Sequence, residues 1–464
     1  MKKIRIVLAA LFLTGITLLF LDTTGALRHW LGWMAKIQFL PAVLALNVAV
    51  IAGLCILTLV LGRLYCSAIC PLGVLQDVIS FFSGLRKGKK HRFHYRKELA
   101  WLRYGVLALY LLAIGLGVNA LVALLAPYSA YGRMVSSILH PSLLTGIVAG
   151  VTLVVIVVLA WTGGRTYCNT VCPVGTTLSF LSRFAMFRPV IDAEKCKDCH
   201  LCEKSCKASC IDISNHRIDY SRCVDCFDCL GECRFDALHY RFAWGKKPEV
   251  KQAAGDDGVS RRAFVATGAF LAGTAVLNAQ KKKLDGGLAP VIDKEVPSRE
   301  THITPPGASD RFYAKCTACQ LCVSSCPNGV LRPSTDILNL MQPEMGYEKG
   351  YCRPECVRCS EVCPSGAIVK ITPEEKTSIH IGKAVVDRSL CVVEKDGVRC
   401  GNCARHCPVG AIRMVPLDPE VKESPRIPSV NVEKCIGCGA CEFLCPSRPV
   451  SAIHVEGYNI HHKD

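Results

Sequence analysis

The chain has 464 residues, of which 50% are hydrophobic and 30 are cysteine, and its formal net charge is +17. This length suits several domains, and the cysteine content is far above that of an ordinary cytosolic enzyme. The cysteines stand in tight, repeated groups, which indicates metal ligation and argues against a disulfide framework. The positive charge does not indicate nucleic-acid binding, because seven basic residues fall within residues 86–97, between two apolar runs, as at a membrane surface.

Four apolar stretches in the first third of the chain predict four membrane-spanning helices. They cover approximately residues 6–21, 41–64, 101–126 and 143–161. Each is close to the roughly 20 residues that a helix needs to cross the hydrocarbon core. Buried helices of a soluble domain are the alternative, but such helices rarely run so long without a charged face. Basic residues before the first stretch and between the second and third place both ends of this module in the cytoplasm.

The membrane module contains a duplication. GRLYCSAICPLG (62–73) and GRTYCNTVCPVG (164–175) share seven identities at an offset of 102 residues. The cysteines of each copy are four apart, so they would share a helix face before the proline ends the helix. These four candidate redox thiols could bind iron or form redox-active pairs, and small apolar packing in a turn is the alternative. They are Cys66, Cys70, Cys168 and Cys172.

Two cysteine runs, CKDCHLCEKSC and CVDCFDCLGEC, follow the fourth apolar stretch with C-x2-C-x2-C-x3-C spacing. In this spacing three thiolates wrap one 4Fe-4S cube and the fourth reaches its neighbour. The predicted ligand sets are Cys196, Cys199, Cys202 and Cys233 for one cube, and Cys223, Cys226, Cys229 and Cys206 for the other. Zinc is the alternative metal. Lys207 and Arg234 stand where a proline usually follows, and Cys210 could replace Cys206 as a ligand.

The first five residues of the first run, CKDCH, also match the attachment motif of a c-type haem. The charge pattern places them on the cytoplasmic face, away from the compartment in which c-type haem is attached. Cluster ligation is therefore the favoured interpretation. His200 is interpreted as a solvated side chain or a modulator of the cluster potential.

Residues 260–280 begin with SRRAF and continue as a moderately apolar run, which has the form of a twin-arginine export signal in mid-chain. Such export carries folded proteins that already hold their cofactors, as a cysteine-dense domain with iron would require. We therefore expect a fifth membrane anchor here. An ordinary amphipathic helix is the alternative, and the basic residues 281–283 argue mildly against export in this direction.

Four more cysteine runs follow a connector rich in proline and glycine, and all four end in Cys-Pro. The first and last have regular spacing while the middle two are stretched, which suggests one two-cluster unit nested inside another. Nesting would pair Cys445 with the first run and Cys326 with the last; pairing of adjacent runs is the alternative. The predicted ligands are Cys316, Cys319, Cys322, Cys326, Cys352, Cys356, Cys359, Cys363, Cys391, Cys400, Cys403, Cys407, Cys435, Cys438, Cys441 and Cys445.

These motifs carry a family resemblance. Residues 1–242, with the duplicated CxxxCP and the two-cluster tail, resemble the NapH family of quinol-oxidising membrane proteins and its MauN and NosR relatives. Residues 260–464 are similar to the NapG/MauM family of exported ferredoxin-type proteins. The order resembles a fusion of two subunits that are usually separate, and it implies electron transfer between the quinone pool and a periplasmic acceptor.

The expected fold class is a membrane all-α domain, with four transmembrane helices plus a signal-anchor helix, joined to α+β ferredoxin-like 4Fe-4S domains. The expected location is the inner (cytoplasmic) membrane, with ferredoxin domains on both faces. The expected segments are the membrane domain 1–189, the cytoplasmic ferredoxin domain 190–242, a linker 243–259, the signal anchor 260–280, a second linker 281–311, and the periplasmic four-cluster domain 312–464.

Six 4Fe-4S clusters on two faces of a bilayer predict an electron-transfer protein that passes electrons from the quinol pool to a periplasmic reductase or cytochrome. The chain has no glycine-rich nucleotide fingerprint, so substrate chemistry would belong to a partner. His29 and His140, in the outer loops, are candidate bases for the protons that quinol oxidation releases. The alternatives are an assembly or activation factor that reduces a periplasmic metalloenzyme, and a structural or sensory role of the clusters.

Overall fold

The computed structural model describes residues 1–22, 26–85, 93–116, 118–139, 143–243, 283–284, 290–291, 293–336, 338–421 and 424–463. The predicted twin-arginine segment, residues 260–280, and His140 lie outside these residues.

Residues 2–182 form a helical module. Its helices are α1 Lys2–Leu21, α2 Arg28–Lys36, α3 Phe39–Leu44, α4 Val48–Leu61, α5 Pro71–Leu85, α6 Ala100–Leu116, α7 Asn119–Leu125, α8 Pro127–Leu139, α9 Leu143–Gly163, α10 Thr166–Thr170 and α11 Pro173–Ser182. A π-helical turn, Tyr65–Ile69, precedes α5.

Two of these helices, α1 and α9, are long and apolar enough to cross a membrane, and α4, α5 and α6 are shorter apolar helices. The predicted span 41–64 is interrupted between α3 and α4, where the Asn47 side chain accepts a hydrogen bond from the backbone N–H of Val50 and caps α4. The predicted span 101–126 is divided between α6 and α7, and Pro127 then begins α8.

The two copies of the duplicated motif exchange helices. Pro71 and Pro173 each open the helix that follows CxxxCP, since proline suits the first turn of a helix. In the first copy this helix, α5, packs against α9, which precedes the motif of the second copy. Reciprocally, α11 packs against α4. This exchange brings the two CxxxCP turns together at the centre of the module.

The first cysteine-rich lobe covers residues 187–243. It holds two antiparallel strand pairs and short helical turns: β1 Phe187–Ile191 with β4 Leu238–Phe242, β2 Ile211–Asp212 with β3 Arg217–Ile218, α12 Leu201–Ser205, and a 3-10 turn Cys229–Gly231. The regular elements are short because the cysteine loops occupy most of the lobe.

The second cysteine-rich lobe covers residues 293–463. Its first two cysteine runs belong to the hydrophobic core that continues through the helical module and the first lobe, and its last two runs surround a separate core. Its strand pairs are β7 Leu331–Pro333 with β8 Pro343–Met345, β9 Ile379–Val386 with β12 Ile453–Lys463, and β10 Ile412–Pro416 with β11 Arg426–Val430. Its helices are α13 Phe312–Lys315, α14 Leu321–Ser324, α15 Arg358–Val362, α16 Pro373–Thr377, α17 Val392–Lys395, α18 Asn402–Arg405 and α19 Ala440–Leu444, with a 3-10 turn Arg388–Leu390. A further pair, β5 Lys283–Leu284 with β6 Pro290–Val291, precedes this lobe.

The two lobes contact opposite ends of α1. At its start, Lys2 Nζ lies 2.8 Å from Asp228 Oδ1 of the first lobe. At its far end, a Cβ atom added to Gly132 of α8 would lie 2.6 Å from the Phe20 ring and 2.5 Å from the Cys319 carbonyl oxygen of the second lobe. A helix of 20 residues is about 30 Å long, so roughly one bilayer core separates these contacts.

Candidate functional site

The first lobe brings together the first predicted ligand set. Burial, together with the charges of Cys199, Cys233 and Cys196, raises the pKa of Cys202 to about 12. Electrostatic effects of this kind need near neighbours, so these four thiols lie within electrostatic range of one another. His200 does not share this site, because its Nδ1 lies 2.7 Å from Glu203 Oε2 and its side chain is part-exposed.

The second predicted set surrounds a void. Its lining includes Cys206, Cys223, Cys226 and Cys229, and also Cys210. The Cys210 Sγ lies 3.5 Å from the Cys206 Sγ. Burial and the charges of its neighbours, Cys206 among them, raise the pKa of Cys229. Cys206 therefore stays in the predicted ligand position, and Cys210 is a fifth thiol that contacts it.

The four cysteine runs with regular spacing share a backbone conformation. In each run the residue before the second cysteine and the residue after it have positive φ angles. These residues are Asp198 and His200, Asp225 and Phe227, Ala318 and Gln320, and Gly437 and Gly439. Such left-handed residues turn successive backbone N–H groups into a concavity that suits an anionic iron–sulfur cluster. The loops are therefore shaped for a cube even where the left-handed residue is not glycine.

In the second lobe, the first and second cysteine runs lie together. Burial raises the pKa of Cys322, and the charges of Cys319, Cys316 and Cys363 add to this rise. Helix α14, of the first run, packs against α15, of the second. Cys363, from the second run, thus lies with the first three cysteines of the first run.

The reciprocal contribution, of a cysteine from the first run to the set of the second run, is also present. Burial raises the pKa of Cys359, and the charges of Cys352, Cys326 and Cys356 raise it further. Cys326, from the first run, therefore lies with the first three cysteines of the second.

The third and fourth runs form an equivalent pair around two voids. One void is lined by Cys391, Cys400, Cys403 and Cys445. The other is lined by Cys407, Cys435, Cys438 and Cys441. Each void has four thiols and mostly apolar residues around it, which is the donor set that a 4Fe-4S cube requires.

The nested pairing expected from the spacing is therefore wrong, and the adjacent pairing is the one present. Cys445 lies with the third run and Cys326 with the second, and neither lies where nesting would put it. The physical reason is that the extra residues of the third run, 394–399, are exposed and lie outside the site, at the end of α17 and in the segment that follows it. A stretched run can therefore hold its cysteines in the same geometry as a regular one.

The ligand sets of the first and second cysteine runs lie closer to the helical module than those of the third and fourth runs. Cys319 lies against α8, and the backbone N–H of Cys352 donates to the carbonyl oxygen of Cys438 at 2.9 Å. The sets that begin at Cys316 and Cys352 are thus nearer the module than those that begin at Cys435 and Cys391.

Two lysines, Lys376, which is buried, and Lys294, which is half-buried, support these sites, and the sequence pattern did not single them out. The Lys376 ammonium donates to the carbonyl oxygens of Arg353 and Cys356, beside the second run. The Lys294 ammonium donates to the carbonyl oxygen of Phe443 at 2.9 Å and to that of Cys445 at 3.2 Å. Each places a positive charge near thiolates.

The four CxxxCP thiols also converge. All four are buried, with 4–5% of each residue exposed. The Cys172 thiol is within electrostatic range of Cys168, Cys70 and Cys66. The predicted redox thiols therefore form one group at the boundary between the two copies.

Comparison with known protein families agrees with this reading of the cysteines. Models described as 4Fe-4S binding domains match residues 43–90, 145–190 and 311–332, and a 4Fe-4S dicluster domain matches residues 398–448. The dicluster match includes cysteines of the third and fourth runs, as adjacent pairing requires. The chain is an iron–sulfur protein with 4Fe-4S ferredoxin domains.

The relatives make the family more specific. The methylamine utilization ferredoxin-type protein MauM of Paracoccus denitrificans is 33% identical over 197 residues, which is 40% of this chain and 83% of the relative. MauM of Methylorubrum extorquens is 30% identical, over 40% of this chain and 84% of the relative. The ferredoxin-type protein NapG of Escherichia coli is 32% identical, over 31% and 65%. The chain belongs to the family of MauM and NapG ferredoxin-type proteins. No solved structure matches it.

Proposed function

We propose that this protein is a membrane-bound electron-transfer protein that passes electrons from the quinol pool to a periplasmic reductase or cytochrome. The helical module would be a NapH-type unit fused to the NapG/MauM-type unit. The observation that carries the proposal is the placement of two cysteine-rich lobes at opposite ends of α1.

Four spans in an inner membrane are part of this proposal. The four would be α1, α3 with α4, α6 with α7, and α9. Large apolar side chains on these helices are exposed, among them Leu111 and Leu112 on α6 and Val154 and Val158 on α9. A soluble protein rarely exposes so many, and lipid would cover them. The basic end of α1 and the first lobe would then face the cytoplasm.

The chemistry needs six cubes, held by the 24 cysteines of the six runs, and each cube exchanges one electron at a time. The protein's own residues bury the thiols and shape the loops. Lys376 and Lys294 place positive charge near two of the ligand sets, where it favours the more negative reduced form.

Quinol oxidation would take place near the end of the module that carries the second lobe. His29 is exposed at the start of α2, and the neighbouring Arg28 Nη1 lies 3.5 Å from Glu361 Oε2 of that lobe. A base at this surface could accept the protons released by the quinol.

The experiment is anaerobic reduction of the purified full chain by a menaquinol analogue. We expect the visible absorbance of the clusters to bleach, and to recover when an oxidised periplasmic cytochrome is added, through many turnovers. Reduction that stops after one turnover, with a partner metalloenzyme that stays active once this protein is removed, would instead support an assembly or activation factor.

A further inference from the structure

We infer that Cys66, Cys70, Cys168 and Cys172 together bind one iron–sulfur cluster, a single site shared by the two copies of the duplicated motif. This inference deepens the proposed function, because it would place a further electron carrier inside the helical module, between the two lobes.

The positions of the sulfurs favour a cluster over a single ion. Around one tetrahedral ion, with metal–sulfur bonds of about 2.3 Å, the sulfurs would be about 3.8 Å apart. Among the described residues, no three of these four sulfurs lie within 4.8 Å of one another. In the ligand sets of the ferredoxin-type runs, too, no three sulfurs of the described residues lie within 4.8 Å of one another. This is expected of a cube, because each sulfur binds a different iron.

The charge around the thiols also points to an anionic group. Arg63 is fully buried, and its guanidinium donates to Asn169 Oδ1 and to the carbonyl oxygens of Ser221 and Cys168. Among the described residues no carboxylate oxygen lies within 4 Å of this guanidinium, and its Nε has no hydrogen-bond partner. Arg63 Nη2 lies 3.9 Å from the Cys66 Sγ. The Asp225 carboxylate is within electrostatic range of Arg63 but forms no ion pair with its guanidinium. A buried cation without a direct partner is costly, and a cluster with four thiolates would supply a direct counter-charge.

In the second copy the equivalent arginine, Arg165, is paired with Asp77, but it makes the same kind of contacts with a cysteine sulfur and with the other copy. Arg165 Nη1 lies 3.9 Å from the Cys168 Sγ and donates to the Cys66 carbonyl oxygen at 2.7 Å. Arg63 makes the reciprocal bond to the Cys168 carbonyl oxygen at 3.2 Å. Each arginine therefore reaches into the other copy, and the pair holds the two CxxxCP turns face to face.

Hydrogen bonds are directed at the sulfurs themselves. Gln76 Nε2 donates to the Cys168 Sγ at 3.2 Å, and the backbone N–H of Gly175 donates to the Cys172 Sγ at 3.4 Å. Such bonds stabilise thiolates and are a known control on cluster potential.

Neither copy could hold a cube alone. The segment 145–190, which matches a 4Fe-4S binding domain, contains two cysteines, and segment 43–90 contains the corresponding two and Cys55. Four thiolate ligands are available only when both copies contribute.

The site also lies between the lobes. On one side, the Arg63 backbone N–H donates to Asp225 Oδ2 at 2.8 Å, next to Cys226 of the first lobe. On the other side, the Tyr167 hydroxyl donates to the Leu125 carbonyl oxygen at 3.1 Å, close to the start of α8. Helix α8 contacts the second lobe at Gly132.

The first test is the iron content of the wild-type full chain, purified without oxygen. Six cubes would account for about 24 irons, and the further cluster raises this to about 26–28. The second test compares Cys70→Ser/Cys172→Ser with the control Cys55→Ser. We expect the double variant to lose about 2–4 irons and one electron paramagnetic resonance signal while keeping the ferredoxin-type signals. The control should lose none.

A wild-type count of about 24 irons, with the four thiols alkylated or joined as disulfides by mass spectrometry, would overturn the inference. The wild-type count does not depend on whether a variant folds. It is also independent of quinol, so a protein that holds the further iron but is not reduced by quinol would refute the proposed function and leave this site standing.

Discussion

Asp77, on α5, is the point at which three parts of the protein meet, and its replacement by asparagine is a sharp test of the architecture. Its carboxylate accepts from Arg5 of α1 at 2.7 Å and from Arg165 Nε and Nη2 at 2.9 and 2.8 Å. Lys207 Nζ of the first lobe lies 3.8 Å away. The residue itself is buried. Asparagine keeps the shape but removes the charge that these cations share.

Removing one partner of a buried ion pair costs about 3–5 kcal/mol, because the remaining charge stays buried without compensation. We expect Asp77→Asn to lower the free energy of unfolding of the helical module by this amount. A denaturant titration in detergent, followed by tryptophan fluorescence, measures it. All five tryptophans of the chain lie in its first 244 residues, so the signal reports on this half.

The matched control is Asp236→Asn, in the same half. The Asp236 carboxylate is 85% exposed and lies 3.8 Å from His239 Nδ1, so its loss should cost about 0–1 kcal/mol. If the two variants have the same free energy of unfolding, the contacts of Asp77 with α1 and the first lobe do not stabilise the helical module as described.

Three further predictions concern the second lobe. In electron paramagnetic resonance, Cys363→Ser should alter the signal of the cluster that begins at Cys316, and Cys445→Ser should alter that of the cluster that begins at Cys391. Nested pairing would be restored if Cys445→Ser altered the first of these clusters and Cys363→Ser the second. Lys376→Met should lower the potential of the second-run cluster by roughly 50–100 mV in a redox titration, because a nearby positive charge is lost, whereas Lys376→Arg should change it far less. Burial lowers the pKa of His461 to about 4, so the folded lobe favours the neutral ring and loses stability as pH falls below about 6.5. Between pH 7 and 5.5 this loss should be about 1 kcal/mol by denaturant titration of cluster absorbance, and His461→Gln should remove it.

The local features of the sites could be predicted from the sequence. Cysteine spacing predicted 4Fe-4S domains, and the family comparisons confirm them. The ligand sets of the first lobe are brought together as predicted. Regular spacing fixes the three cysteines of each loop, and with only two runs in this lobe the fourth ligand of each set has to come from the other run. The pairing in the second lobe could not be predicted in this way. It depends on which short helices pack together, and α14 with α15 is a tertiary contact that spacing does not contain.

The arginines of the duplicated motif show the same limit. Arg63 and Arg165 are visible in the sequence as repeated letters. Their role, each bonding to the other copy, follows from the exchange of α5 and α11 between the copies. Lys376 and Lys294 carry no sequence signal at all, since they are two of many lysines and become distinctive only through their hydrogen bonds to the backbone of the cysteine runs.

The central claim is that the two cysteine-rich lobes lie on opposite faces of one membrane and exchange electrons through it. The most direct measurement places the full chain in vesicles that contain oxidised cytochrome c, and adds dithionite, which does not cross the bilayer, outside. We predict that the trapped cytochrome is reduced, and that vesicles without the protein leave it oxidised. A trapped cytochrome that stays oxidised, although all the clusters are reduced from outside, would show that both lobes lie on one face and would contradict the account.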